Sequence, residues 1–91
     1  MSMQLSLTRR DREVLAILNS AVGIRAITVA AAMQNRRLPG PPRDVVSWDA
    51  QREARLTLRG AEHLGLVEQR GGWWRITPAG QAALAAGSVP A

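Results

Sequence analysis

The chain has 91 residues, 46% of them apolar, with a formal net charge of +5 and a pI near 11.7. That length holds one domain with a small core, burying about 60–65% of the surface its unfolded chain exposes. There is no cysteine, which excludes disulfides and thiolate metal sites, and no apolar run near the roughly 20 residues that span a bilayer.

All twelve basic residues are arginine, and lysine is absent. The planar guanidinium suits bidentate contacts to phosphate and guanine. An Ala-, Arg- and Gly-rich chain without lysine also follows from codon usage in a GC-rich genome. We assign the missing lysine to codon usage and the surplus charge to function, because a positive balance favours nucleic acid or another acidic partner. The N-terminal MSMQLSLTRRD lacks the charged-then-apolar order of a signal peptide, so a cytoplasmic protein with no membrane association is expected.

Residues 1–7 read as a flexible arm. Thr8 is a good N-cap, with Asp11 three residues on and Glu13 in the next turn, where the helix dipole favours acids. Val14, Leu15, Ile17 and Leu18 supply a buried stripe, predicting a first helix over 9–20. Gly23–Ala26 is too short for periodicity and long enough for a brief strand. Thr28 caps a second predicted helix through Gln34, whose alanine run has high helix propensity.

The prolines Pro39, Pro41 and Pro42, with Gly40, forbid a continuous helix and predict a surface loop over 35–47. It carries Arg36, Arg37 and Arg43. Val45, Val46 and Trp48 are expected to tie its far end into the core.

A third helix is predicted over 49–64, capped by Ser47 or Asp49 and ended by Gly65. At about 100° per residue, Ala50, Ala54, Leu58 and Ala61 share one face, and Arg52, Arg55 and Arg59 share the opposite one. Such a helix packs on its small apolar side and displays charge on the other. A polyanion ligand fits that display; so does a plain solvated face.

Leu66–Arg70, Gly71-Gly72 and Trp73–Thr77 read as a hairpin with a two-residue turn. The implied register sets Val67 opposite Ile76, Glu68 opposite Arg75, Gln69 opposite Trp74 and Arg70 opposite Trp73. Val67, Trp74 and Ile76 then face the core, Glu68 and Arg75 pair outside, and Trp73 shields Arg70 near the tip. Thr77-Pro78 starts a last helix to about Ala86, and 87–91 is expected as a disordered tail.

Helix, short strand, helix, loop, helix, hairpin, helix is the order of an α+β, mostly α domain: a winged helix-turn-helix with a two- or three-stranded wing, over 8–86. Leu64-Gly65-Leu66-Val67-Glu68 resembles the exit of a recognition helix into a wing. Trp74-Arg75-Ile76-Thr77-Pro78-Ala79-Gly80 is similar to the wing exit of MarR- and PadR-like transcriptional regulators. The resemblance implies DNA binding, and a small sequence-specific regulator or repressor of double-stranded DNA is expected, acting as a homodimer, with the chain's size suggesting a phage, plasmid or other mobile element as its origin. The third helix would enter the major groove. Gln51, Arg52 and Arg55 would contact bases or phosphates, Arg59 phosphate, Arg70 the flanking groove, and Arg36, Arg37 and Arg43 the backbone. The segment between the second and third helices departs from the three- or four-residue turn of a compact helix-turn-helix. The wing has Glu68-Gln69-Arg70 where MarR-type wings have Asp-x-Arg.

A winged-helix protein-interaction module gripping an acidic protein surface is the alternative, motivated by the proline-rich loop and paired tryptophans. No enzyme is expected. His63 is a lone surface histidine, and capping and ion pairing explain Asp44, Asp49 and Glu53 better than a metal does. Lysine chemistry is excluded, and no phosphate-loop, dinucleotide or nucleophile-elbow motif is present, so no cofactor is expected.

Overall fold

A computed structural model describes residues 4–21, 23–41 and 45–90. Its elements run β1 (Gln4–Ser6), α1 (Arg9–Asn19), β2 (Ile24–Arg25), α2 (Ala26–Arg37), α3 (Trp48–His63), β3 (Val67–Arg70), β4 (Trp73–Ile76), α4 (Pro78–Ala86) and β5 (Ser88–Pro90). The fold is α+β and mostly α: four helices and a three-stranded antiparallel sheet in the order β2-β4-β3. This arrangement is consistent with winged-helix topology. No helix among the described residues is long and apolar enough to cross a membrane.

Local chemistry sets most boundaries. Thr8 and Asp11 form a reciprocal capping box at α1, each side chain accepting from the other's backbone N–H at 3.1 Å. The Ser47 hydroxyl accepts from Ala50 N–H to start α3. Gly65, at φ +75°, closes α3: its N–H donates to Glu62 O, and the next N–H, of Leu66, donates to Ala61 O. That is a Schellman stop, and it needs the left-handed conformation glycine takes without steric cost. Gly71 and Gly72 both have positive φ, giving the hairpin turn whose twist matches its strands. The register is the expected one, Val67 opposite Ile76 through Arg70 opposite Trp73.

Four expectations are corrected. Helix α2 begins at Ala26 behind β2, without a side-chain cap, so Thr28 lies inside it. It also runs through Asn35, Arg36 and Arg37, which moves both arginines from the loop to a helix end. Leu38 stops it in extended backbone, as a residue before proline should. Residues 4–6 and 88–90, expected as a loose arm and tail, pair antiparallel with each other. Leu7 behind them is buried, and its N–H donates to Gly87 O. Finally, Trp48 is 81% and Val45 79% exposed, and only Val46 packs against the core. The incoming chain is held instead by Gln34, whose Nε2 donates to Val45 O at 2.8 Å and whose Oε1 accepts from Ser47 N–H at 2.9 Å.

The core joins Val14, Leu15, Ile17 and Leu18 of α1, Val29, Ala30 and Met33 of α2, Ala54, Leu58 and Ala61 of α3, and Leu66, Val67 and Trp74 at the hairpin. Helix α4 closes it over a close backbone approach. A Cβ on Gly80 would collide with the Leu66 carbonyl oxygen and come within 2.7 Å of Ile76 Cγ1. The same carbonyl accepts from Thr77 N–H, so it has little freedom to move.

Gly80→Ala should therefore destabilise by about 1–2 kcal/mol despite alanine's better helix propensity, lowering the melting temperature by roughly 5–15 °C. Gly60→Ala, inside α3 with no atom near the added Cβ, should stabilise by about 0.5–1 kcal/mol. Thermal unfolding followed by circular dichroism measures both.

Candidate nucleic-acid interface

Helix α3 meets the core through Ala54, Leu58 and Ala61, and this fixes which way its other side points. Arg52, Arg55 and Arg59 are exposed on that other side, as the helical spacing requires. The Arg52 and Arg55 side chains make no ion pair or hydrogen bond with a described residue. Arg59 is partly engaged, 3.3 Å from Glu62 and with its guanidinium 5.9 Å from the Trp74 ring centroid. It bridges the end of α3 to the base of the hairpin.

Trp48, the first residue of α3, belongs to the same stripe. Positions 48, 52, 55 and 59 follow a four-three-four spacing, so the exposed indole stands one turn ahead of Arg52. Hydrophobicity argued for burying this residue; its helical angle, computed from the same sequence, argued the other way and was the better signal.

The remaining expected contacts divide. Gln51 is half-buried, and its Nε2 donates to Val46 O at 3.1 Å, so its amide holds the start of α3. Arg36 is exposed at the end of α2 with no described partner. Arg37 is committed internally: Nη1 lies 2.5 Å from Glu53 Oε1 on α3 and Nη2 3.2 Å from Glu13 Oε2 on α1. Arg10 also reaches Glu53, at 2.8 Å. The hydrogen bond to Glu53 is the main reason the Arg37 pKa is raised, against the opposing effect of burial and with help from the Glu13 charge. Arg43 and Asp44 lie outside the described residues. The ion pairing expected of Glu53 is made across helices, with Arg10 and Arg37, and Arg52 and Arg55 have no partner among the described residues.

Arg70 is exposed on β3 beside the turn, with its side chain unpaired among the described residues. Trp74 is buried, as the hairpin register implies, and Trp73 is half exposed. The ring contact at Trp73 is made by Arg25 of β2, with its guanidinium 4.9 Å from the centroid. Glu68 and Arg75 pair across the strands on the outer face. His63 is exposed at the end of α3. No group of three or more His, Cys, Asp or Glu able to hold a metal occurs among the described residues.

Glu13 and Glu53 join helices, Glu68 is engaged by Arg75 and Glu62 by Arg59, and Arg52 and Arg55 on the outer side of α3 have no partner among the described residues. Comparisons with protein-family models, curated proteins and solved structures found no match to this chain.

Arg37→Gln removes the shared partner of Glu13 and Glu53. Because these groups are partly exposed, the expected loss is about 1 kcal/mol. The loss should shrink at 1 M salt, where the Debye length is about 3 Å. Denaturant unfolding at low and high salt measures it.

Proposed function

We propose that this protein is a small winged-helix regulator that binds double-stranded DNA, with α3 in the major groove and the β3–β4 wing on the flank. The observation that carries the reading is the outer side of α3, where Arg52 and Arg55 are exposed and have no partner among the described residues, on a helix whose opposite side is core. A helix fits the major groove, and guanidinium groups read guanine edges or neutralise phosphates. The N-terminal half of such a helix lies nearest the bases, which favours Arg52 and Arg55 over Arg59. The surplus positive charge and the resemblance of the wing exit to MarR- and PadR-like regulators support the same reading. A homodimer on a palindromic site and a cytoplasmic location belong to it.

A second reading has its own support. Leu38 and Val45 are exposed apolar side chains lining the groove between the end of α2 and the start of α3, and Trp48 is exposed at the head of α3. A winged helix that docks another protein through that rim would use them, with the arginines facing an acidic surface.

Selection of bound sequences from a random duplex pool, followed by salt titration of the winner, separates the two. For the DNA reading, wild type should bind with a steep log–log salt dependence. Arg52→Ala/Arg55→Ala, still folded by circular dichroism, should bind at least tenfold more weakly with a slope shallower by about 1.8. Equal binding by the two proteins would remove the α3 arginines from the mechanism. No retention on DNA or heparin, with a salt-insensitive protein complex, would favour the docking module.

A further inference from the structure

The end of α2 and the head of α3 enclose a groove of about 670 Å³. Small-molecule sites span roughly 300–1,000 Å³. Met33 lines the groove and is 1% exposed, so the cleft reaches down to the hydrophobic core. Leu38, Val45 and Ala50 line it as well, the first two exposed. The apolar lining thus comes from both helices and from the chain that enters α3. The Gln34 clasp on Val45 and Ser47 holds that last wall in place.

The other polar groups on this lining are committed. Both ends of the Gln34 amide are used, and Ser47 Oγ accepts from Ala50 N–H. Arg37 and Glu53 engage each other, and Arg10 and Glu13 complete that cluster with two positive and two negative charges, which cancel. Asp49 differs. Its carboxylate is exposed in the groove and has neither ion pair nor hydrogen bond among the described residues. Asp11, Glu13, Glu53, Glu62 and Glu68 each have such a partner. The positive end of α3 lies close by, but a helix N-terminus counts for about half a unit charge and the carboxylate for a full one. The local balance is therefore negative, in a chain whose net charge is +5.

We infer that this groove is a binding site for a small organic cation, an ammonium group carried on an apolar body. The body packs on Met33, Leu38, Val45 and Ala50, and the ammonium donates to the Asp49 carboxylate. An anion would be repelled by Asp49 and would find the Arg37 guanidinium already held by two carboxylates. A neutral alcohol would gain the apolar lining without the charge. Bound in this way, the cation ties the end of α2 to the first turn of α3, just ahead of Arg52. The site does not depend on what α3 binds, so it stands or falls apart from the proposed DNA function.

Three probes with nearly the same apolar body and different charge test the site: phenylbutylammonium, phenylbutanol and phenylbutyrate. Each is titrated into the full chain, and binding is followed by backbone amide shifts in two-dimensional NMR. In wild type the ammonium should bind about fivefold more tightly than the alcohol, the scale of one partly exposed ion pair, and the carboxylate more weakly than either. The largest shifts should fall at Leu38, Val45 and Ala50. The chain's overall positive field repels cations, so a preference for the ammonium has to arise locally. Asp49→Asn should bring the ammonium down to the level of the alcohol and leave alcohol binding unchanged, while Asp49→Glu keeps the preference. Leu38→Ser should weaken all three probes by a similar factor. Thermal unfolding checks each variant, and the wild-type ranking of the probes decides even where a variant fails to fold. Equal binding of ammonium and alcohol, tighter binding of the carboxylate, or an ammonium preference that survives Asp49→Asn overturns the site. So does the absence of binding by any probe at millimolar concentration. If, in that case, the chain sediments as a dimer that Val45→Ser dissociates, the groove is a subunit contact instead.

Discussion

The arginine at the end of α2 holds the helical half of the molecule in register. Arg37 reaches Glu13 on α1 and Glu53 on α3 with one guanidinium, and Arg10 shares Glu53. Partly exposed ion pairs of this kind add little free energy. Their importance here is geometric. Glu53 lies between the buried and exposed faces of α3, so anchoring it to two other helices fixes rotation about the α3 axis. With Ala54, Leu58 and Ala61 packed inward, that rotation decides what the far side of α3 shows. A small turn of the helix would bring Arg55 toward the core rim.

The same constraint governs the electrostatics. A chain with seven acids and twelve arginines could neutralise much of its charge anywhere on its surface. In this fold Glu13 and Glu53 serve on the side where α1, α2 and α3 meet, and Glu68 serves the sheet. Arg52, Arg55 and Arg70 are left unmatched among the described residues. Helix α3 balances Arg52, Arg55 and Arg59 against Asp49, Glu53 and Glu62, and Arg12 on α1 and Arg36 on α2 are exposed as well, so what the fold contributes is the display of Arg52 and Arg55 on one side of α3.

The parts legible in the sequence were those governed by short-range rules. Periodicity separated the two sides of α3, the Gly71-Gly72 turn fixed the hairpin register, and Thr8, Ser47, Thr77 and Gly65 marked helix ends by their own chemistry. What failed depended on distant partners. Arg36 and Arg37 suit a loop or a helix end equally well, and the Arg37 partners lie 16 and 24 positions away. Strands β1 and β5 are three residues each and meet only because the fold brings the two ends of the chain together. The Gln51 amide donates to the Val46 carbonyl, a partner that its place near the start of α3 did not reveal. The Arg25–Trp73 stack needed β2 to join the sheet, and two residues carry no periodicity from which to infer that.

The three tryptophans occupy three unlike environments: Trp48 is 81% exposed, Trp73 48% and Trp74 4%. With no tyrosine or phenylalanine in the chain, ultraviolet emission comes from these indoles alone. The first sits at the head of α3, the second on the outer sheet and the third inside the hydrophobic interior. The molecule thus carries its own optical reporters: collisional quenchers would reach them in that order, and variants retaining one indole at a time would read the third helix, the sheet and the packed interior separately, without an added dye.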